Sequence, residues 1–438
     1  LSHNPMTTST KNTRSLSPAP TLLILAILLG GVYLRAHNFN AWPPGLSHDE
    51  AINGIDALRI WQTGRIPLYI SSGRPEPLFR FIQAVTVGLV GPTRFGLRLA
   101  SLYAGALAVA AAYRAGRHVV PPGDQARRWV GLLSAGIMAV LVGHIHLSRV
   151  AYRAIPLPFA LLLFADAFLN GWRTGRNRAF GAAGLWLGVA ILSYTSGLAA
   201  IPVAALGVLQ QLAFHFNRFK RRWRGLLIFV LAFLVAASPM IIMLIVQPET
   251  YGRIAVVQGG RSLPMDQALA RYWRHLGTTW RTLHVEGDIN PQYNVYQTPL
   301  LHTKPLYALL LLGIAGCALQ PRRLISWLAL GLLGAMLLPV ALADEIPHGL
   351  RISGEYGAVP LVIAASAAPV LWLTRRLPRP AWLPGGLRAI WTAGMSALLM
   401  TAGIRAGRTY FSYFQDDIRW GDGGVVSAFS WFFETKRL

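Results

Sequence analysis

Four polar clusters stand out in an otherwise apolar chain, and each contains residue types that could do chemistry on a phosphate-bearing substrate. They are Ser47-His48-Asp49-Glu50, the stretch from Arg149 to Arg153, Gly287-Asp288-Ile289-Asn290 with Asn294 nearby, and His348-Gly349-Leu350-Arg351. A carboxylate can take a proton from an acceptor hydroxyl, and arginine forks bind phosphate bidentately. The clusters therefore suit a reaction in which an acceptor is deprotonated and a phosphate is held.

Each cluster also has a purely structural interpretation. An acidic pair such as Asp49-Glu50 can cap a helix, and arginines such as Arg149 can anchor at a membrane interface or bind lipid headgroups. Gly-Asp-x-Asn is a common turn, and the pair of His348 and Arg351 could be an interfacial anchor. These structural interpretations lose weight if all four clusters lie on one face of the protein.

The elements that must position these clusters are membrane helices. Of the 438 residues, 53% are hydrophobic and 13% are charged, and the mean hydropathy is +0.42. Soluble domains carry about 25% charged residues, and apolar runs of about 18 residues or more indicate membrane spans. We therefore predict an all-α polytopic membrane protein. The net charge of +24 fits basic cytoplasmic loops better than nucleic-acid binding, and no nucleic-acid partner is expected.

The apolar runs predict about eleven transmembrane helices. They lie at roughly 20–36, 96–113, 129–147, 155–170, 180–194, 197–214, 225–246, 305–319, 324–343, 356–373 and 388–404. The first run is interpreted as an uncleaved anchor rather than a signal peptide. The predicted organisation is a cytoplasmic tail at 1–19, a transmembrane domain at 20–405 with large outer loops at 37–95 and 247–304, and a short outer C-terminal segment at 406–438.

One segment decides the topology. The stretch from Pro77 to Gly91 is apolar but short, and it contains Arg80 and Gln83. If it is an interfacial helix, the loops on the side of the N-terminus hold about half of the 41 Lys and Arg residues but only two acids, Asp124 and Asp166. The positive-inside rule favours this arrangement. It also puts all four polar clusters on the outer side.

The chain resembles the GT-C membrane glycosyltransferases, in the branch of protein O-mannosyltransferases and lipid A aminoarabinose transferases (glycosyltransferase family 39-like). Most of the likeness lies between His48 and Arg117, in the blocks HDEAINGIDALRIWQTGRIP, GRPEPLFRFIQAVTVGLVG and RFGLRLASLYAGALAVAAAYRAGR. The stretch HLSRVAYR is similar to the family's Ser-Arg-x-x-Arg motif after the third helix. The resemblance covers about residues 20–405 and implies the GT-C fold, with interfacial helices in the first outer loop.

The resemblance also implies a sugar donor on a polyprenyl phosphate and a role for each polar cluster. Asp49 occupies the position of the general base, and Glu50 is its neighbour in the catalytic pair. The donor phosphate would be held by Arg149, Arg153 and Arg351. The substrate-binding set would comprise His48, Tyr194, Asp288, Asn294 and His348.

Metal dependence is left open by the resemblance. Glu76 matches a glutamate that contributes to a metal site in one branch of the family. The chain departs from the pattern there, because it reads Glu-Pro-Leu where relatives often have two prolines. A partner histidine could be His275, His284 or His348. No cofactor is certain, and a divalent metal is retained as an alternative.

Together these features predict an inverting glycosyltransferase that moves a sugar from a polyprenyl-phosphate donor to a lipid, glycan or protein acceptor. The enzyme would be a multi-pass protein of the cytoplasmic membrane, with its active site on the periplasmic or extracellular side. The alternatives are a GT-C polymerase or ligase acting on a lipid-linked glycan, and a lipid or sugar transporter. A transporter is disfavoured because the span centres are almost free of charge. The absence of a large C-terminal domain fits either a compact subfamily or a truncated chain.

Overall fold

The computed structural model describes residues 19–65, 76–124, 126–246, 264–295, 297–343, 346–369, 371 and 383–416. These residues are predominantly helical, and none of them forms a β-strand. Most of the predicted tail, parts of both predicted outer loops (66–75 and 247–263) and the last 22 residues, 417–438, lie outside the described residues.

The helices of the described residues follow one another along the chain. Their bounds are α1 (Ala19–Ala36), α2 (His48–Thr63), α3 (Leu78–Val90), α4 (Arg94–Gly116), α5 (Ala126–Val140), α6 (Val142–Leu147), α7 (Pro156–Thr174), α8 (Asn177–Ser193), α9 (Ala200–Phe214), α10 (Phe216–Val246), α11 (Met265–Thr282), α12 (Lys304–Ala318), α13 (Leu324–Ala341), α14 (Glu355–Ala365) and α15 (Leu383–Asp416). Short 3₁₀ turns occur at Arg117–Val119, Thr195–Ala199 and Arg351–Gly354.

Four helical stretches in the described part of the chain are long and apolar enough to cross a bilayer: Arg94–Val119, Thr195–Phe214, Phe216–Met243 and Leu324–Ala341. The prediction of about eleven spans is therefore not confirmed. Several predicted spans form helices shorter than the ~20 residues that a 30 Å hydrocarbon core needs. The predicted span 129–147 is divided between α5 and α6, because the chain is extended at Leu141.

Helix α3 contains the segment that decides the predicted topology. It has 13 residues, which is about 20 Å of helix and less than the ~30 Å hydrocarbon core. It packs against α2 and α4. Arg80 and Gln83 are both fully buried, and the Arg80 Nε lies 3.3 Å from Oδ2 of Asp56 on α2. The polar residues of α3 thus face protein, and the helix is shorter than a bilayer core.

Helices α4 and α7 pack together and connect the two ends of the molecule. Both begin at the end that contains the first loop, hereafter the loop end. Arg114 near the C-terminus of α4 pairs with Asp166 of α7, with Nη2 and Oδ2 2.7 Å apart. A 23-residue helix such as α4 is about 34 Å long, so the opposite end, hereafter the far end, lies one bilayer core away.

Close helix packing is possible on α8 because it carries glycine where α10 crosses it. A Cβ at Gly184 would collide with the Phe229 carbonyl, and one at Gly188 would collide with the Ala236 side chain. Two small residues four apart let helix backbones approach closely, an arrangement common between membrane helices.

Candidate active site

The centre of the loop end is residues 148–155, the chain between α6 and α7, whose backbone is held by polar side chains of α2 and α3. The Ala151 amide donates to Oε1 of Glu50 at 2.8 Å. The Ala151 carbonyl accepts from Asn53 Nδ2 at 2.9 Å and from Gln83 Nε2 at 3.3 Å. Because both backbone groups are fixed, this stretch presents its side chains at defined positions.

Glu50 is a fully buried carboxylate whose oxygens are occupied. It accepts from Arg98 Nε at 2.8 Å, Arg98 Nη2 at 3.0 Å and the Ser47 amide at 3.0 Å, in addition to Ala151. Burial by itself would raise the pKa of Glu50, but the Arg98 charge and these hydrogen bonds outweigh burial and lower it. Glu50 therefore stays ionised as half of an internal ion pair, and Ser47 and Glu50 form the capping box that starts α2.

Arg149 is likewise fully buried. Its Nη1 donates to the Arg35 carbonyl at 2.8 Å, and its Nη2 donates to the carbonyls of His37 at 2.7 Å and Trp42 at 3.0 Å. The guanidinium carbon also lies 5.2 Å from the ring centroid of Tyr410. These contacts join the first loop to the 148–155 stretch, so a structural role accounts for the terminal nitrogens of Arg149.

Arg153 has a different environment from Arg149. Its Nε donates to Oε2 of Glu76 at 3.0 Å, and its guanidinium carbon lies 5.5 Å above the Tyr194 ring. Its side chain is 18% exposed, and its Nη groups make no hydrogen bond to a residue that the structure describes. Burial lowers the pKa of Arg153, but the charges of Glu76 and Asp49 raise it above its ordinary value. Arg153 is thus a fixed cation with its outer fork unused.

Glu76 holds Arg153 in place. Its Oε1 accepts from the Thr195 amide at 2.9 Å and from the Thr195 hydroxyl, so both carboxylate oxygens have partners. Burial raises the pKa of Glu76, yet Arg153 and the Thr195 hydrogen bonds lower it overall. A metal at Glu76 would have to displace these partners, and no group of three His, Cys, Asp or Glu residues suited to a metal occurs among the described residues. The donor set present does not fit a metal, and no step is assigned to one.

Asp49 is half-buried in the first turn of α2, where the helix dipole favours a carboxylate. Its charge acts on Arg153, Tyr194 and His348, so the carboxylate lies within electrostatic range of all three. Successive side chains on a helix diverge by about 100°. Asp49 therefore faces this group of residues while Glu50 faces Arg98.

Arg351 and His348 bring the fourth cluster to the same place. The Arg351 charge acts on both Tyr194 and His348, and the Arg351 carbonyl accepts from the Ser196 hydroxyl at 3.3 Å. The Arg351 Nη1 atom is buried and makes no hydrogen bond to any described residue. Burial first, and the Arg351 charge second, lower the pKa of His348 to about 3, so its imidazole is neutral.

The third cluster shapes the loop that carries His348. Asp288 Oδ2 accepts from the Gly349 amide at 2.6 Å, and its Oδ1 accepts from the Asn290 amide at 2.8 Å. Asn294 Nδ2 donates to the Thr298 carbonyl at 2.7 Å. Asp288 and Asn294 thus bond to backbone close to the site. His48, the remaining predicted substrate-binding residue, is exposed beside Asp49 at the first residue of α2.

Several site residues had no predicted role. Arg98 neutralises Glu50, and Thr195 fixes Glu76. Neither contact could be predicted, because the partners are far apart in the sequence and no motif links them. Tyr293 stacks on His348 with ring centroids 4.8 Å apart and meets Tyr152 edge-on at 5.6 Å. Tyr293 is adjacent to the predicted site residue Asn294, but nothing in the sequence indicated that it would stack on His348.

Comparisons with known proteins agree with a glycosyltransferase-type fold. Residues 73–243 match the family model described as dolichyl-phosphate-mannose-protein mannosyltransferase. The apo oligosaccharyltransferase of Archaeoglobus fulgidus superposes with a TM-score of 0.56 at 15% identity, over 91% of this chain and 56% of that one. The archaeal oligosaccharyltransferase AglB from the same organism, in complex with an inhibitory peptide and a dolichol-phosphate, gives a TM-score of 0.55 at 16% identity, over 91% of this chain and 55% of that one.

A further similar structure is ArnT from Cupriavidus metallidurans bound to undecaprenyl phosphate, at 14% identity over 96% of this chain and 78% of that one. Its TM-score of 0.49 is too low to support an argument about fold. No curated protein sequence matches the chain. The chain spans just over half the length of the oligosaccharyltransferase chains.

Proposed function

We propose that this chain, which has the fold of the GT-C membrane glycosyltransferases, transfers a sugar from a polyprenyl-phosphate donor to a lipid, glycan or protein acceptor with inversion at the anomeric carbon. The family-model match and the fold support the enzyme class. The oligosaccharyltransferase described in complex with a dolichol-phosphate supports the class of donor. We assign the activity to the region 20–405 and to the outer face of the cytoplasmic membrane.

One observation carries the proposal: a half-buried carboxylate, Asp49, lies within electrostatic range of Arg153, whose outer fork is unused. A transferase with a phosphate leaving group needs these two functions and little else. The base removes a proton from the acceptor, and the cation stabilises the phosphate as it departs. Arg351, with a buried and unbonded Nη1, supplies a second donor near Tyr194.

In the proposed reaction the acceptor hydroxyl loses its proton to Asp49 as its oxygen attacks the anomeric carbon. The bond between that carbon and the donor phosphate oxygen breaks, and its electron pair leaves with the phosphate. Arg153 can bind two phosphate oxygens through its fork because Glu76 holds only its Nε. The products are the glycosylated acceptor and the free polyprenyl phosphate. A single displacement of this kind inverts the sugar configuration.

The decisive test is Asp49→Asn, which keeps the shape of the side chain and removes its basicity. Host membranes containing the full chain would be given a panel of polyprenyl-phosphate sugars, and released polyprenyl phosphate would be measured. We expect turnover to fall about 10²–10⁴-fold, as for loss of a general base, while donor binding is kept. Asp266→Asn is the matched control, because Asp266 is also an acid in a first helical turn but is solvent-exposed and has no predicted role. A loss below tenfold for Asp49→Asn would contradict the mechanism.

The proposed sidedness has its own test. Cys317 is the chain's single cysteine and is buried, so an introduced cysteine can be labelled selectively. In intact cells, an impermeant thiol reagent should label Asp266→Cys and leave Arg221→Cys unlabelled until the membrane is opened. Labelling of Arg221→Cys in sealed cells would reverse the assignment of the outer face.

A further inference from the structure

A cavity of about 380 Å³ lies at the far end of the molecule, away from the candidate active site. It is bounded by the end of α7, the end of α9, the start of α10 and the connection from α12 to α13. Trp172 and Arg173 contribute from α7, whereas Arg153 precedes that helix at the loop end. The length of α7, 19 residues or about 28 Å, separates the two places.

The cavity is strongly basic. None of the described residues that line it is acidic. Four of them are arginines: Arg173, Arg218, Arg322 and Arg323. Arg218 and Arg322 form no ion pair with any carboxylate that the structure describes. The nearby Asp166 already has two partners, because it pairs with Arg114 and its Oδ1 accepts a hydrogen bond from His118 Nε2 at 2.9 Å. The charges of Arg218 and Arg322 are therefore not neutralised by any acid among the described residues.

Hydrogen bonds hold the chain segment that carries two of these arginines, Arg322 and Arg323. Gln210 Nε2 donates to the Arg322 carbonyl at 3.0 Å, and His215 Nε2 lies 3.0 Å from the same oxygen. The Arg323 Nη1 donates to Gln320 Oε1 at 2.7 Å. The connection between α12 and α13 is thus tied to the end of α9, and its arginines are held at the cavity rather than left on an unattached loop.

The cavity also has an unused polar atom and an apolar wall. Gln211 lines it, is 1% exposed, and has a buried Oε1 with no hydrogen-bond partner in the described structure. Buried polar atoms are normally paired, so this amide is suited to a ligand that brings a hydroxyl or another polar group. Leu169, Leu324 and Ile325 form apolar wall nearby, which suits the glycerol and upper acyl carbons of a lipid.

We infer that this far-end cavity binds a phosphate group, carried either by a lipid headgroup or by a soluble phosphate. Arginine is the side chain best suited to phosphate, and basic pockets between membrane helices bind anionic lipid headgroups. The site is distinct from the proposed donor site, because the two lie at opposite ends of α7. The inference does not depend on the proposed transferase activity.

The test uses the full chain in detergent, analysed by native mass spectrometry. Dioctanoyl phosphatidylglycerol, dioctanoyl phosphatidylcholine and inorganic phosphate are titrated separately. We expect phosphatidylglycerol to bind at least tenfold more tightly than phosphatidylcholine. Arg218→Gln combined with Arg322→Gln should weaken that binding at least tenfold. Arg178→Gln is the matched control, because Arg178 is an exposed arginine near the same end that does not line the cavity.

The comparison of ligands distinguishes a lipid phosphate from a soluble phosphate. Competition by inorganic phosphate against phosphatidylglycerol would indicate that the lipid's phosphate is the recognised group. Binding of inorganic phosphate alone, lost in the double variant, would assign the cavity to a soluble phosphate. If neither ligand's binding depends on Arg218 and Arg322, the inference is overturned. The two single variants, checked by gel filtration, serve as the measurement if the double variant does not fold.

Discussion

At the loop end, neighbouring residues of the same chemical type differ in their contacts. They divide into a closed set, bound by other parts of the chain, and an open set, which is partly exposed. Glu50 and Arg149 form the closed set, with their oxygens and terminal nitrogens bound to other parts of the chain. Asp49 and Arg153 form the open set, named for partial exposure: Asp49 is half-buried, and the outer fork of Arg153 makes no hydrogen bond to a described residue. Residue type therefore identifies the chemistry available, whereas the contacts of Glu50 and Arg149 show that these two copies are bound up in holding the fold.

The largest expected effect is on the closed set, through Arg98→Met. This change leaves Glu50 charged and buried without its cation, and breaking a buried pair in this way costs about 3–5 kcal/mol. We expect the free energy of unfolding in detergent to fall by that amount, measured by denaturant titration. Combining it with Glu50→Leu should recover part of the loss, because no buried charge then lacks a partner. Unchanged stability in Arg98→Met would show that the pair does not hold the loop end together.

The second prediction compares the same substitution at Arg149 and at Arg153. Arg153→Gln should weaken donor binding about 10- to 100-fold, because each hydrogen bond to a charged group contributes about 1.5–3 kcal/mol. Arg149→Gln should instead lower thermal stability and leave donor affinity in the folded fraction within about threefold. Binding of a polyprenyl-phosphate sugar and the melting temperature, measured on both variants, give the comparison. The reverse pattern would move the phosphate site to Arg149.

The third prediction concerns pH. Above pH ~6.5, His348 is neutral in both the folded and the unfolded chain. Between that pH and its folded pKa of about 3, only the unfolded chain gains the proton. Stability should therefore fall as pH falls, by at most about 1.4 kcal/mol per pH unit from this residue. His348→Gln should flatten the stability profile over pH 3–6.5 relative to the unaltered chain. An unchanged slope would mean that His348 is accessible to protons in the folded state.

The smallest effect is expected at Asp288. In Asp288→Asn one oxygen can still accept from the Asn290 amide, but the new amide group cannot accept from Gly349. The loss should be about 1 kcal/mol of stability, with donor affinity within about threefold. Melting temperature and donor titration check both numbers. A tenfold loss of affinity at unchanged stability would instead make Asp288 a substrate ligand, as the resemblance implies.

The sequence predicted the helical class and the grouping of polar clusters because both follow from composition and local pattern. The short length of α3 could also be predicted, because it depends only on the number of residues between Pro77 and Gly91. The number of spans could not be predicted, because an apolar run can be interrupted within its length. The run at 129–147, for example, is broken at Leu141.

The division between closed and open residues could not be predicted for a related reason. Arg98 lies 48 positions after Glu50, and Thr195 lies 119 positions after Glu76. Nothing in a single sequence specifies such pairings. The motif around Arg149 and Arg153 therefore indicated a polar region, while the different contacts of its two arginines depend on residues distant in the sequence.

The hydrogen bonds to the Ala151 backbone limit how the sequence can vary at this position. All three hydrogen bonds at this position use its backbone amide or carbonyl. Any residue except proline could make them, but Ala151 is fully buried against Leu46, Val87 and Leu97, so the size of the side chain is restricted. Substitution by Gly or Ser should be tolerated where Leu or Phe is not. A search that scores residue identity at this position will therefore undervalue it, whereas one that scores side-chain volume will detect it.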